Sequence, residues 1–427
     1  MLKRIHVRDL TLGMFLHELC GSWMEHPFWR TRFLLEDPQD VQRILNTAIE
    51  EVWIDTARGR DVAAGAQSMT RAEVEAEISS QWQALETASG ALEPRPAPPS
   101  IELTPPGAEP TPMDAELRHA AQVCRSAKEA VVSMFTEARM GRAVDMASVH
   151  AQVNEISNSV SRNPGALISL ARLKTADEYT YMHSVAVCAL MTALARQLGM
   201  DDNSTRLAAL AGLLHDLGKA NIPLAILNKP GKLTDEEFDV IRHHPVASHE
   251  MLQHSGLHPA VLDACLHHHE KIDGTGYPHR LAREQISTLA RMTAICDVYD
   301  AITSNRPYKA GWDPSESLRR MAEWTRGHFD SRLFQAFVKA IGIYPVGSLV
   351  RLSSARLGVV VEQSPGTLVA PRVKVFFSTR THMRIPPEVI DLSAPGCTEK
   401  ITHREDPSRW HFPDLDELWC DMAQPAW

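Results

Sequence analysis

Apolar and polar positions change rhythm several times along the chain, and each change marks a different kind of structure. Residues 1–65 carry short apolar runs (IHV, MFLHEL, RFLL and EVWID) around one candidate helix from Pro38 to Ala48, which predicts a small α+β module. Thr70 to Ser89 reads as a further helix. It leads into PRPAPPSIELTPPGAEPTP, where 8 of the 27 prolines fall in 19 positions. That composition excludes helix and predicts an extended, semi-rigid spacer, so residues 66–112 form a helix plus linker.

Beyond the linker the period becomes helical. Val187, Leu190, Leu194 and Leu198 recur at three- and four-residue spacing up to Gly199, and Asp202, Asn203 and Ser204 offer caps for the next helix. Thr234 followed by Glu237 reads as a capping box, and Phe334, Phe337, Val338 and Ile341 line one face of a helix that stops at Gly342. Residues 113–342 are therefore expected to be all-helical, giving a mainly α fold class. From 344 to 393, LVRL, GVVVEQ and VKVFF are β-rich runs separated by Gly, Pro and Ser, which predicts a small antiparallel barrel or sandwich. The tail, 394–427, carries Trp410, Trp419 and Trp427 without a period.

Composition narrows the function classes. A chain of 427 residues with 44% hydrophobic and 23% charged content is neither disordered throughout nor an all-membrane protein. A formal charge of -9 and a pI of about 6.1 give no overall attraction to polymeric nucleic acid or anionic lipid, so any phosphate site must be a local concentration of cations. Seven scattered cysteines without a CxxC pair suit reduced thiols rather than disulfides or a zinc ribbon. With no apolar run long enough to span a membrane and no apolar stretch behind the basic N-terminus, the expected compartment is the cytoplasm.

Histidine is the unusual residue, because ten of the 20 fall between His183 and His269. Imidazole is a poor core group and the commonest ligand of first-row metals. His215-Asp216 emerges from the apolar segment LAALAGLL, and Lys219 lies about one turn further on. Alone, that dipeptide is no more than chance, and Lys219 equally suits a solvated helix end. Downstream lies HHHEKIDGTGYP, His267 to Pro278. Neighbouring helical residues point about 100° apart, so adjacent histidines are expected to serve two neighbouring ions. Gly274 and Gly276 read as a turn with positive φ, since no strand precedes them as a nucleotide fingerprint would require.

His183, His215-Asp216, NIPLAILNKPGKLT, His244-Pro245, HHHEKIDGTGYP and ICDVYDAITSNRPYK, in this order, resemble the HD-GYP family of bacterial cyclic di-GMP phosphodiesterases over about residues 175–325. VRDLTLGMFL, HPFW and EVWIDTARG resemble the small N-terminal domain that often precedes it. The resemblance implies metal ligands at His183, His215, Asp216, His244, His268, His269 and Asp297, with Asp216 bridging two ions. It implies phosphate contacts from Lys219, Arg306 and Lys309, with Tyr277 shaping the pocket and Gly276 and Pro278 completing the signature triplet. Asp216 and Lys219 are the expected catalytic residues.

Two positions depart from the family pattern. Tyr179 stands where some members place the Glu of a third metal site, which favours two ions. Ser248 stands where Gly is common, which tightens backbone packing without removing a ligand. Asp300 is expected to be a structural hydrogen-bonding partner, while His243, His249, His254, His258 and His267 are read as surface or supporting residues.

The expected chemistry is hydrolysis of cyclic di-GMP to 5′-pGpG, with further hydrolysis to GMP. Two divalent ions outweigh the charge of Asp216, Asp297 and a bridging hydroxide, leaving a positive centre for a phosphodiester. Arg306 can contact phosphate or a guanine edge in a bidentate manner. A His-rich set with two carboxylates suits Fe first, then Mn, Ni or Co, over Ca. Cyclic GMP-AMP is an alternative substrate. The competing classes are a catalytically inactive dinucleotide-binding or protein-interaction module, against which the complete ligand set speaks, and oxygenase chemistry, against which the cations speak. A homodimer or a signalling protein is the expected macromolecular partner.

Overall fold

The computed structural model describes residues 1–20, 32–47, 49–63, 65–87, 111–174, 179–229, 231, 233–305, 311–325, 327–364 and 366–420. The chain divides into two units, Met1–Leu92 with Arg319–His328, and Glu93–Leu318 with Phe329–Trp427.

In the first unit the short apolar runs become strands because their alternate residues reach one core. Strands β1 (Leu2–His6), β2 (Phe15–Cys20) and β3 (Phe33–Leu34) precede helix α1 (Pro38–Leu45), followed by β4 (Glu51–Asp55), β5 (Ser68–Thr70) and helix α2 (Arg71–Thr87). The sheet order is β3-β2-β4-β1-β5, with β1 antiparallel to β4 in a register that pairs Ile5 with Val52. Ile5, Leu16, Leu35, Ile44, Val52 and Ile54 are buried together. Asp37 caps α1 by accepting from Gln39 N, and Pro38 opens it. The proline-rich expectation falls largely on residues 88–110, outside the described residues.

In the second unit, regular structure among the described residues from 113 to 342 is helical, as the periodicity predicts. The helices are α3 (Met113–Arg139), α4 (Met146–Arg162), α5 (Pro164–Arg172), α6 (Tyr179–Gln197), α7 (Asp202–Leu214), α8 (Leu224–Leu227), α9 (Asp235–Arg242), α10 (His244–Leu252), α11 (Pro259–His267), α12 (Thr288–Thr303), α13 (Pro314–Trp324), which crosses the division between units, and α14 (Ser331–Ile341). Helix α6 is apolar almost all round, and Met182 to Ala195 is buried without a break, so it runs through the middle of the packed helices. The capping box of Thr234 and Glu237 forms at α9. The cap of α7 is Asp201, one residue before the expected group, accepting from Ser204 N at 2.8 Å.

The C-terminal β region is not the closed barrel or the sandwich expected. Strands β6 (Leu349–Leu352), β7 (Arg356–Glu362), β8 (Arg372–Ser378), β9 (Met383–Asp391) and β10 (Ile401–Arg404) form one antiparallel sheet in the order β10-β6-β7-β8-β9. Its ends stay apart. Edge strand β9 is exposed along most of its length and contains Pro386-Pro387, which can donate no hydrogen bond to a closing strand. β10 extends the sheet past the expected boundary at 393, and helices α15 (Pro407–Trp410) and α16 (Leu415–Cys420) follow it. Trp410 joins an aromatic group with Phe377 and Phe412, and Trp419 is buried. All seven cysteines are free, and no helix among the described residues is long and apolar enough to cross a membrane.

Candidate metal centre

Four helix ends and two helix interiors bring the seven expected ligands together. His183 projects from α6 and Asp297 from α12, while His215 caps the C-terminus of α7. Asp216 opens the short 3-10 turn Leu217–Asn221, His244 begins α10, and His268-His269 follow α11. Gathering these residues puts five imidazoles and two carboxylates into a buried space that apolar packing alone would not form.

Three of the histidines are held by the same device. Nδ1 of His215, His244 and His268 lies 2.8, 2.7 and 2.9 Å from the carbonyl oxygens of Gly212, Ile241 and Cys265, each three residues back. A carbonyl only accepts, so Nδ1 carries the proton and Nε2 presents a lone pair inward. His244 Nε2 lies 3.3 Å from His268 Nε2, 3.2 Å from His269 Nε2 and 3.1 Å from Asp216 Oδ1. Burial holds His268 and His269 well below the ordinary imidazole range, reinforced by their neighbouring imidazoles. His244 is lowered too, by burial against the opposing pull of Asp216.

Asp216 faces both halves of the cluster. Its Oδ2 is 3.4 Å from His183 Nε2 and 3.3 Å from His215 Nε2, and it accepts from Lys219 Nζ at 2.5 Å. Burial pushes the Asp216 carboxyl upward, and the Lys219 ammonium beside it pulls the other way, toward the charged form. Asp297, likewise pushed up by burial, is held down by His183, whose Nε2 lies 2.9 Å from its Oδ1. His215 Nε2 and Asp216 Oδ1 are buried with no hydrogen-bond partner.

These residues fit a cation. Facing lone pairs and carboxylate oxygens without protons between them repel unless positive charge sits among them, and orphaned buried acceptors point to the same need. The ligand atoms fall into two groups, Asp216, His244, His268 and His269, and His183, His215 and Asp297, each within a 4.8 Å span. The expectation that His268 and His269 serve different ions does not match this grouping. Both residues lie past the last residue of α11, and their rings are 4.1 Å apart, close enough to face one group.

Behind the ligands lie groups that sequence reasoning did not find or did not place. Lys174 is buried with Nζ 2.7 and 2.5 Å from the two oxygens of Asp300, whose Oδ2 is 2.6 Å from His183 Nδ1. Asp300 is thus a hydrogen-bonding partner, orienting the His183 ring. His183 is raised despite its burial, because Asp297 and Asp300 outweigh the loss of water. Glu270, 2% exposed, accepts from His279 N and Leu281 N and pins the loop after the signature triplet. His267 links Asp263 to His279 at 2.8 and 2.9 Å, and His258 caps α11.

Tyr277 stacks on His269, with ring centroids 4.8 Å apart, and the Arg242 guanidinium lies 4.8 Å from the same ring. Burial pushes its phenol well above the ordinary value, so it stays protonated. Gly274 has the expected positive φ of 80°, but Gly276 is needed for a different reason. A Cβ there would lie 2.5 Å from Glu270 Cα and Lys271 N and 2.6 Å from His269 O. Arg306 and Lys309 lie outside the described residues.

Comparison with known proteins decides the family. A family described as an HD domain matches residues 155–333, and a domain of unknown function, DUF3391, matches residues 2–149. The cyclic di-GMP phosphodiesterase PA4108 of Pseudomonas aeruginosa is 55% identical over 429 residues, covering 99% of this chain and 97% of that protein. The chain belongs to the HD-GYP family of bacterial cyclic di-GMP phosphodiesterases. Two further relatives match shorter stretches of this HD-GYP chain. The response regulator RpfG of Xanthomonas campestris pv. campestris, also named a cyclic di-GMP phosphodiesterase, is 38% identical over 40% of this chain and 47% of its own length. The 3′3′-cGAMP-specific phosphodiesterase 1 of Vibrio cholerae is 36% identical over 38% of each chain. The DUF3391 match accounts for the N-terminal resemblance, and the HD match covers all seven expected ligands of the HD-GYP centre.

Proposed function

We propose that this chain hydrolyses cyclic di-GMP to 5′-pGpG, and then to GMP, at a centre of two divalent ions bridged by Asp216. The single observation that carries the reading is the convergence of proton-free Nε2 atoms from His215, His244 and His268 on the Asp216 carboxylate. His183, His215 and Asp297 would hold one ion and His244, His268 and His269 the other, with one Asp216 oxygen toward each group. When bound, such ions supply Lewis acidity toward phosphoryl oxygens and lower the pKa of water. Nitrogen-rich donors with two carboxylates favour Fe, then Mn or another first-row metal.

The remaining steps belong to the chain itself. Lys219 is a partly exposed cation, with its side chain 20% accessible, beside the buried Asp216. It neutralises charge on the scissile phosphate and holds a proton at Nζ for the leaving 3′-oxygen. Tyr277 walls the site and keeps its phenolic proton as a donor. Arg306 and Lys309 contact the phosphates, and a guanidinium at 306 adds bidentate geometry. Lys219 beside the carboxylates and imidazoles favours a phosphodiester over an uncharged substrate.

The test is anaerobic purification with metal analysis, followed by chromatography of cyclic di-GMP and 3′3′-cGAMP reactions for wild type and Asp216→Ala. Wild type is expected to release 5′-pGpG first, and Asp216→Ala to lose turnover together with metal. Retained hydrolysis in the variant would refute the bridge, and turnover of cGAMP alone would refute the substrate.

A further inference from the structure

Ser248 is completely buried in α10, one helical turn beyond His244, where its side chain shares the face of that ligand. Its Oγ accepts from Gly218 N at 2.7 Å and donates to His215 O at 2.8 Å. Those two backbone groups flank Asp216. The His215 carbonyl is one of the acceptors left over at the end of α7, and the Gly218 amide lies in the 3-10 turn that follows. One hydroxyl therefore satisfies both and ties the turn carrying His215 and Asp216 to the helix carrying His244.

Packing at this junction is already tight. A Cβ on Gly218 would lie 2.1 Å from His244 O and 2.5 Å from Ser248 N, so turn and helix meet backbone to backbone. The Asp216 Oδ1 to His244 Nε2 separation of 3.1 Å is set across that junction. We propose that Ser248 is a positioning residue that fixes Asp216 against His244 and thereby sets the affinity of the centre for the cation these two groups share. The proposal rests on the metal-dependent reading above and deepens it. A glycine at 248 would leave His215 O and Gly218 N without their common partner.

The experiment uses full-length protein stripped of metal and titrated with Mn(II), followed by cyclic di-GMP kinetics. Wild type is compared with Ser248→Ala, Ser248→Gly and a control, Ser255→Ala, whose hydroxyl bonds Leu252 O near the end of the same helix. Both Ser248 variants should bind Mn(II) about 10-fold more weakly. At fixed subsaturating Mn(II) their kcat should fall while KM for cyclic di-GMP stays within about two-fold. Ser255→Ala should match wild type in both. Wild-type affinity in either Ser248 variant overturns the assignment, as does loss of fold in both, which would make the hydroxyl a general structural prop. Should wild type itself bind no Mn(II) and hydrolyse nothing, the metal reading and the Ser248 assignment fall together, an outcome distinct from the first.

Discussion

Replacing Lys174 with methionine tests whether the group behind His183 is a true buried ion pair. The lysine side chain has no solvent exposure, and its Nζ contacts both oxygens of Asp300, itself 3% exposed. Two unit charges about 3 Å apart attract by about 5–6 kcal/mol at an effective dielectric of about 20. Methionine keeps most of the volume but leaves Asp300 charged and buried, with His183 and Ser304 as its remaining partners among the described side chains. Breaking one side of such a pair costs about 3–5 kcal/mol, and the lower figure applies if His183 takes up a proton in compensation. The expected result is a urea midpoint lowered by about 1 M or more, with faster hydrogen exchange at the amides of α6 and α12. Adding Asp300→Asn removes the stranded charge while keeping an acceptor for His183 Nδ1, so the double variant should recover at least half of the loss. A single variant within about 1 kcal/mol of wild type, or a double variant no better than the single, would refute the reasoning.

Two further perturbations address the loop and the periphery. Gly276→Ala places a Cβ against the backbone of His269, Glu270 and Lys271, so the loop must shift. It should lower stability by about 1–3 kcal/mol and turnover by at least about 10-fold, measured by thermal unfolding and steady-state kinetics, and wild-type turnover would contradict it. Asp313 is pushed up to about 6 by burial, against the pull of the Glu316 amide and of Arg404 and Arg172. Between pH ~4 and ~6 the native chain keeps a proton that the unfolded chain releases, so this group's contribution falls as pH rises through that window. Asp313→Asn retains the acceptor for Glu316 N and should gain about 1–2 kcal/mol over wild type at pH 8 and nothing at pH 4. Equal stability at both pH values would show that Asp313 is not buried as charge.

Much of this architecture is legible in local pattern. The periodicity of Val187, Leu190 and Leu194 gives α6, Thr234 and Glu237 give the start of α9, and the clustering of histidines points to the centre. What is not legible depends on approaches between distant segments. Lys174 and Asp300 are separated by 126 positions, and nothing in either neighbourhood says that a lysine will be sealed against that aspartate. Ser248 reads as a small deviation, yet its hydroxyl bonds two backbone groups of another element. Gly276 is required by the backbone across the loop rather than by its own φ, and only three-dimensional proximity distinguishes those reasons. The open C-terminal sheet shows the same limit, because β-rich runs specify strands but not whether the first and last will pair.

The surroundings of His183 bear on the proposal of two ions rather than three. Tyr179 stands at the position where the family resemblance would put the Glu of a third metal site, and its ring lies parallel to the His183 ring, 5.6 Å away and tilted by 10°. Its π face cannot replace that charge. Lys174 Nζ lies 5.5 Å from the same ring, within reach of its negative face, so a fixed ammonium already occupies the electrostatic environment a further cation would seek. The carboxylate of Asp300 behind His183 is neutralised by that ammonium and engaged by Nδ1, leaving little charge to hold an ion on this side. Attraction is concentrated instead on the Nε2 side, where Asp216 and Asp297 lie. On the two-ion proposal, an aromatic ring at 179 with a buried lysine beside it disfavours a third cation next to His183, while the same charges keep that imidazole's Nε2 turned toward Asp216 and Asp297.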